Sequence, residues 1–437
     1  MMLKYNTLIV LAGVSLLGAS AGMVGSFAVL RKRALTGDAL AHAALPGLCI
    51  AFLILRERNV AAMLLGALAT GVAGIMIISA LRRWTRVRED AAIGSVLTVF
   101  FGSGIVLSKY IQNLSNIGSR AGLESYIFGK TAGMTRGDVY LIVVAGLLGL
   151  AAVALLYKEF LSISFDSEFA RSLGWPVYLL DLLLMSLVAL AVVIGLPAVG
   201  VVLISALLIM PGAAARFWTD RLGTLLVLSG IFGFAVGLVG TWLSASLDQL
   251  PAGPIIVLSG TTLFVASLLF GKQRGVLARW IDQRRFETML GLRQLLRIAW
   301  EHQAEGPRAA SPFSSADLLV RKTWTERRAK RLLATAQSAG LVRPVATGTD
   351  LFELTPSGRD EALAATRGHR LWEAFLAEYP DQANSTANLA SLSIEDYVPT
   401  AVVQQLTAQL QAAGRWPVDG ERSERRRESL AERERRS

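Results

Sequence analysis

Long apolar runs separated by short polar loops fill the first 271 residues of this 437-residue chain. About 20 consecutive apolar residues are enough for a helix to cross a bilayer. The runs predict about nine membrane-spanning helices, at roughly 7–30, 38–55, 60–81, 91–111, 138–157, 176–195, 197–216, 222–247 and 254–271. Only Gly195-Leu196-Pro197 interrupts the stretch 176–216, so the count can differ by one.

Basic residues predict how this apolar part is oriented. They gather in loops that fall on one side of the expected helices: Arg31-Lys32-Arg33, Arg82 to Arg88, Lys158 to Arg171, Arg216 to Arg221 and Lys272 to Arg274. Loops rich in Lys and Arg stay in the cytoplasm. The N-terminus is therefore expected outside, and the residues after 272 are expected inside. The first apolar run continues to Leu30, which favours a membrane anchor over a cleaved signal peptide.

Charge density divides the chain into two parts. Residues 1–271 hold 18 Lys or Arg and 12 Asp or Glu, whereas residues 272–437 hold 26 and 21. The expected fold class is an all-α polytopic membrane protein followed by a small cytoplasmic winged helix-turn-helix (α+β) domain and a helical tail. The expected segments are a transmembrane domain, a linker helix, a winged-helix-like domain, a helical dimerisation-like segment and a charged, disordered tail, at 1–272, 273–310, 311–360, 361–415 and 416–437.

The winged-helix interpretation comes from residues 313–357, which read as two helices and a hairpin. Residues 325–339 form the second helix, Gly340 ends it, and residues 341–354 alternate around a glycine-containing turn. A basic face on and before this helix suits phosphate groups: Lys322, Arg327, Arg328, Lys330 and Arg331. DNA binding is one use of such a face, and protein contact in a fused domain is the other.

A carboxylate and an imidazole stand together at the start of the second apolar run. Asp38 and His42 are four residues apart, so both side chains lie on one helix face. Ionisable groups within membrane spans are expensive and mark binding sites or ion pathways. Oxygen and imidazole ligands suit Mn²⁺, Fe²⁺ and Zn²⁺ alike. Asp181 and Cys49 are further candidate ligands, although an interfacial aspartate and a small packing residue are the alternatives.

No sign of enzymatic chemistry accompanies this pair. The chain has three histidines and one cysteine, and no Walker A motif is present. A channel-like membrane part without its own source of energy needs an ion gradient or a separate ATPase. Residues 158–175 also stand out, because they read as one short amphipathic helix capped by Ser164 or Asp166 and ended by Gly174.

Several motifs in sequence order resemble the permease subunits of manganese, zinc and iron ABC importers. The resemblance covers nearly all of residues 5–272. Its motifs are Gly37-Asp38-Ala-Leu-Ala-His42 (with Ala41 where the family usually has Ser), Glu89-Asp90-Ala-Ala-Ile93-Gly94, Glu124-Ser-Tyr126-Ile-Phe128-Gly129, Phe165-Asp166 through Gly174, Val199-Gly200 through Met210-Pro211, and Pro251-Ala252-Gly253-Pro254.

This resemblance implies a metal-translocating permease of the bacterial cytoplasmic (inner) membrane. It implies a dimer, homodimeric or paired with a paralogue, that works with a cytoplasmic ABC ATPase and a periplasmic or lipid-anchored metal-binding protein. Asp38 and His42 become the metal site, Mn²⁺, Zn²⁺ or Fe²⁺ is cargo, and no cofactor is bound permanently. The 158–175 segment becomes the helix that docks into the ATPase, through Asp166, Glu168, Ala170, Arg171 and Gly174.

The second part of the chain resembles metal-dependent repressors of the DtxR/MntR type. The resemblance rests on Leu354-Thr355, Gly358 and the stretch 368–376. It implies that His369 and Glu373, again four residues apart, are metal ligands. The later ligand pair of that family is replaced here by Glu395-Asp396-Tyr397, without a histidine.

The expected function is an importer permease for divalent transition metals, which is not itself an enzyme. One alternative is a membrane-tethered, metal-responsive transcription regulator that contacts DNA through its basic helix. Another is a gradient-driven carrier. The domain after residue 272 is expected to be a structural or regulatory domain, or a working DNA-binding regulator.

Overall fold

The computed structural model describes residues 5–57, 59–114, 129–247, 250–305, 312–321, 324–346, 350–379, 394 and 398–417. Contacts divide the chain into two units, Met1–Trp280 and Ile281–Ser437. Three predictions concern residues outside the described part: those for Glu124, for Lys322 and for 418–437.

The first unit is built of helices. Eight described helices are long and apolar enough to cross a membrane. They are α1 (Tyr5–Leu30), α2 (Ala34–Leu55), α3 (Val60–Trp84), α4 (Glu89–Gln112), α5 (Arg136–Leu155), α8 (Val177–Arg216), α9 (Leu222–Ser246) and α10 (Ala252–Phe270). Two short helices, α6 (Tyr157–Phe165) and α7 (Ser167–Ser172), lie between α5 and α8. The expected polytopic helical fold is confirmed.

The expected pair of helices across 176–216 is one element of 40 residues with an internal break. The break lies at Gly200 (φ 83°, ψ 170°), three residues after the expected Gly195-Leu196-Pro197, so the stretch consists of two helical parts as expected, which count together as one of the eight spans. An unbroken helix of that length would reach about 60 Å, twice the thickness of a bilayer core. The backbone of Gly129 packs on the break, since a Cβ there would lie 2.4 Å from the carbonyl carbon of Val199.

Glycines let α1 pack closely against α8 and α9 in the centre of this unit. A Cβ on Gly18 would lie 2.3 Å from the carbonyl oxygen of Gly233 in α9, and a Cβ on Gly25 would lie 2.0 Å from the carbonyl oxygen of Leu208 in α8. Small residues at helix contacts are the usual means of tight packing in lipid, where van der Waals contact replaces the hydrophobic drive.

The second unit combines helices with a small sheet. Its elements are α11 (Val276–Glu305, which begins before the boundary), β1 (Phe313–Ser314), α12 (Ser315–Arg321), α13 (Glu326–Ser338), β2 (Val342–Pro344), β3 (Leu351–Leu354), α14 (Pro356–Glu378) and α15 (Thr400–Ala412). The sheet is antiparallel, in the order β1-β3-β2. Phe352 of β3 faces Phe313 in β1 and Pro344 in β2.

Two apolar clusters stabilise this unit. The first joins α11, the sheet and α13 through buried residues that include Leu295, Phe313 and Leu333. The second joins α14 to α15 through Trp372, Phe375 and Leu406 among others.

The contact between α1 and α9 makes Gly18→Ala destabilising. Its methyl group would meet the Gly233 carbonyl, and overpacking of this kind costs about 1–3 kcal/mol. We expect a lower unfolding temperature for the purified protein, measured by loss of the monodisperse peak after heating. Gly102→Ala in α4 is the matched control, because its Cβ would meet nothing within 4 Å. Equal midpoints for the two variants would contradict the assigned packing.

Candidate metal site

The first turns of α2 carry the candidate metal ligands. The Nε2 atom of His42 lies 3.6 Å from Oδ1 of Asp38, so the expected pairing on one helix face is present. Gly37 allows α2 to approach α8 at this level, since a Cβ there would lie 2.3 Å from Cδ2 of Leu208. The glycine before the aspartate therefore serves the close approach of two helices.

Two side chains from other helices contact the pair. The Ser205 hydroxyl, on α8, donates a hydrogen bond of 3.3 Å to Oδ1 of Asp38. The ring of Phe101, on α4, packs edge-to-face against the His42 imidazole, with centroids 4.6 Å apart. The sequence analysis missed both residues. A serine and a phenylalanine in apolar runs carry no signal, because such residues are usual in membrane helices.

The pair is open on one side. The side chain of Asp38 is 40 % exposed and that of His42 is 21 % exposed within this single chain. The Nδ1 atom of His42 is buried and makes no hydrogen bond among the described residues. The described part of the chain contains no group of three or more His, Cys, Asp or Glu residues suited to a metal ion. Asp38 and His42 thus offer two strong ligands, and Ser205 offers a weaker oxygen.

The two further candidates have other contacts. The buried Cys49 thiol lies 3.8 Å from the Gly104 carbonyl oxygen on α4, as expected for a small packing residue. Asp181 accepts hydrogen bonds of 2.8 and 2.9 Å from one guanidinium nitrogen of Arg33, and Arg31 forms an ion pair of 2.8 Å with it. These contacts favour the alternatives to metal binding for both residues.

The short helix expected within 158–175 is α7, which begins after the expected cap Asp166 and ends before Gly174, and a second helix that was not expected, α6, precedes it. Asp166 has an extended backbone (φ −144°, ψ 94°), and its carboxylate accepts hydrogen bonds from the backbone N–H groups of Glu168 and Phe169. An aspartate that caps the next helix cannot continue the previous one. Chain direction changes again at Gly174, where φ is +82°.

The short helix α7 presents a mixed surface. Large apolar side chains are exposed at Phe165, Phe169 and Leu173, each more than half exposed, beside the exposed Glu168 and Arg171. Ala170, in contrast, is fully buried. An apolar patch rimmed by charges is typical of a protein-contact surface.

In the second unit, the pair His369 and Glu373 is also formed. His369 Nε2 lies 3.1 Å from Glu373 Oε1. Two guanidinium groups approach the same carboxylate, however: Arg370 at 3.6 Å and Arg415 at 3.9 Å. A cation at Glu373 would have to compete with both arginines.

The basic face of α13 is present in the described residues. Arg327, Arg328, Lys330 and Arg331 are all exposed. A hydrogen bond of 2.6 Å to Glu326 raises the pKa of the Lys330 ammonium, which further favours its charged form. That same bond partly neutralises the face.

Comparisons with known proteins agree with this geometry. Residues 4–271 match the family described as ABC 3 transport family. The chain is 36 % identical to the manganese transport system membrane protein MntC of Bacillus subtilis, over 94 % of this chain and 93 % of that protein. It is 41 % identical to the zinc transport system membrane protein TroC of Treponema pallidum, over 64 % of this chain and 94 % of that protein.

A solved structure is similar as well. PsaBC from Streptococcus pneumoniae in complex with Fab has a chain that is 28 % identical and superposes with a TM-score of 0.55, over 64 % of this chain and 96 % of that chain. The family match covers more than half of this chain and contains the eight described helices that are long enough to span a membrane, α2 with its Asp38/His42 pair included. The chain therefore belongs to the ABC 3 transport family.

Proposed function

We propose that this chain is the membrane permease subunit of an ATP-driven importer that carries Mn²⁺, Zn²⁺ or Fe²⁺. The observation that carries the proposal is the Asp38/His42 pair, held between α4 and α8 in the region that matches the family. Relatives named as manganese and zinc transport proteins support the first two metals. The chain is not an enzyme, because members of this family are permease components and a separate subunit hydrolyses ATP.

The exposure of Asp38 supports a pathway that a second permease lines. A carboxylate that is 40 % exposed in a spanning helix would be costly against lipid, so it faces water or protein. Two copies, identical or paralogous, placed with their α2 helices facing one another would bring two Asp38/His42 pairs to one ion. Waters and backbone carbonyls complete the shell, and modest affinity lets the ion leave.

The partners follow from the same family. A periplasmic or lipid-anchored binding protein delivers the metal from outside, and a cytoplasmic ABC ATPase supplies the energy. The apolar patch on α7, with Asp166 as its cap and Glu168 and Arg171 at its rim, supports α7 as the docking helix for that ATPase. Basic loops support a location in the bacterial cytoplasmic membrane with the second unit in the cytoplasm.

For the second unit we propose a winged-helix-like domain related to DtxR/MntR repressors, with a structural or regulatory role. The order of elements supports it: two helices, α12 and α13, lie between β1 and the β2-β3 hairpin. The contacts of Glu373 with two arginines argue against a working metal sensor there. A membrane-tethered transcription regulator is the less favoured function, and the exposed arginines of α13 are the observation in its favour.

Loss of either ligand should abolish transport. Asp38→Asn and His42→Ala each remove one of two strong ligands, so we expect uptake of the carried metal to fall by at least about tenfold. Uptake of radioactive Mn²⁺, Zn²⁺ and Fe²⁺ is measured in cells that express the whole transporter, at equal protein levels. Asp220→Asn is the control, because Asp220 pairs with Arg274 and half of its side chain is exposed. Uptake by both ligand variants at the control level would refute the site.

Ser205→Ala should weaken the site without destroying it. The variant removes one hydrogen bond to Asp38, worth about 1 kcal/mol, so we expect KM for metal uptake to rise about fivefold. The matched control is Ser186→Ala on the same helix, whose hydroxyl donates to the Leu182 carbonyl within its own turn. If Ser205→Ala and Ser186→Ala had the same KM for metal uptake, Ser205 would have no part in the site.

His369→Ala should leave metal transport within about twofold of the wild type, unlike His42→Ala. The reason is that Arg370 and Arg415 already balance the charge of Glu373. Uptake and Mn²⁺ binding by the purified full chain are measured for both variants. Loss of a second bound Mn²⁺ in His369→Ala would contradict this assignment.

Tight, sequence-specific DNA binding that weakens in Arg327→Gln would favour the regulator function instead.

A further inference from the structure

Five charged residues form a connected cluster next to the start of α2. Arg33 contacts two carboxylates, Glu89 and Asp181. Arg31 shares Asp181 at 2.8 Å, and Arg82 approaches Glu89 at 3.4 Å. The cluster therefore joins the loop before α2 to the end of α3, the first residue of α4 and the first turns of α8.

Three side chains of the cluster are buried, so each of their charges depends on its partners. The side chains of Arg33, Arg31 and Asp181 are 8, 11 and 14 % exposed. Breaking one partner of a buried ion pair leaves the other charge uncompensated, which is far more costly than losing an exposed pair. Three guanidinium groups against two carboxylates also leave a net positive charge, so loss of either carboxylate leaves positive charge without a partner.

The cluster lies between the two places where the proposed function needs coordinated movement. Asp181 is nine residues after the end of α7 at Ser172, beyond the left-handed Gly174. Arg33 directly precedes Ala34, the first residue of α2, and Asp38 follows about one turn later. These contacts form a continuous connection from α7 through the start of α8, Asp181 and Arg33 to the start of α2.

The same three helices meet again at the metal ligands. Glu89 and Phe101 are both on α4, and Asp181 and Ser205 are both on α8. Helices α4 and α8 thus each contact the loop before α2 through a carboxylate, and each contacts Asp38 or His42 through a second side chain. A change at the cluster therefore alters the spacing around the ligands.

We propose that Arg33, Asp181 and Glu89 are positioning residues that couple movement of the ATPase-docking helix α7 to the Asp38/His42 site. The proposal rests on the proposed function and adds its transmission step. The residues act through α2 and do not bind the transported ion.

The test uses the complete transporter, with ATPase and binding protein, in proteoliposomes. Asp181→Asn removes the charge that joins α8 to both arginines. We expect metal-independent ATP hydrolysis to rise at least threefold and Mn²⁺ transported per ATP to fall at least fivefold. Binding of Mn²⁺ alone to the purified complex should stay within twofold, since Asp38 and His42 remain. Asp220→Asn, which removes an aspartate from an exposed ion pair with Arg274, is the matched control and should behave as wild type.

Two further variants distinguish a loss of coupling from simple misfolding. Asp181→Glu keeps the charge and should restore at least half of the coupling. Arg31→Gln combined with Asp181→Asn removes one charge of each sign, so no extra charge is buried, and it should remain uncoupled. Wild-type transport per ATP in this double variant, or in Asp181→Asn, would overturn the proposal. A coupling loss that Asp181→Glu does not restore would also overturn it.

These experiments distinguish failure of the cluster proposal from failure of the proposed function. Normal Mn²⁺ uptake in Asp38→Asn would refute the metal site whatever the cluster does. Abolished uptake in Asp38→Asn together with tight coupling in Asp181→Asn would refute the cluster alone.

Discussion

Charges in the membrane unit must be paired, because an isolated ionised group in a low-dielectric environment is too costly to bury. Arg33 satisfies this constraint with two carboxylates from different helices. Asp38 satisfies it differently, with a hydroxyl from Ser205 and an imidazole from His42. Among the described residues no arginine or lysine pairs with Asp38, which is the arrangement expected of a carboxylate that binds a cation.

Glycine contacts complement this electrostatic arrangement. Where Gly18 meets Gly233 the two backbones touch, and neither helix can slide without losing the contact. Helices joined in this way move as a group. Gly174 and Gly200 both have a positive φ. Gly174 lies in the turn that precedes α8, and Gly200 lies at the internal break of α8.

Features that depend on local sequence could be predicted, and those that depend on distant contacts could not. The run at 222–247 matches α9 almost exactly in extent, since bilayer thickness sets the length of such a run. Asp38 and His42 could be found because charged residues are rare in spans. Ser205 could not be found, because a serine there usually bonds to the carbonyl one turn back, as Ser205 also does to Val201. The Arg33–Asp181 pair joins residues 148 positions apart, which no local pattern reveals.

The two histidine–carboxylate pairs show why spacing alone does not define a metal site. Both pairs are four residues apart on a helix, and the His369–Glu373 distance of 3.1 Å is shorter than the 3.6 Å between His42 and Asp38. Arg370 and Arg415 already supply positive charge to Glu373. Among the described residues, Asp38 is contacted by a hydroxyl and an imidazole, and no arginine or lysine pairs with it. A cation gains more by joining a carboxylate that no arginine already contacts, so we expect the α2 pair to be the stronger metal site.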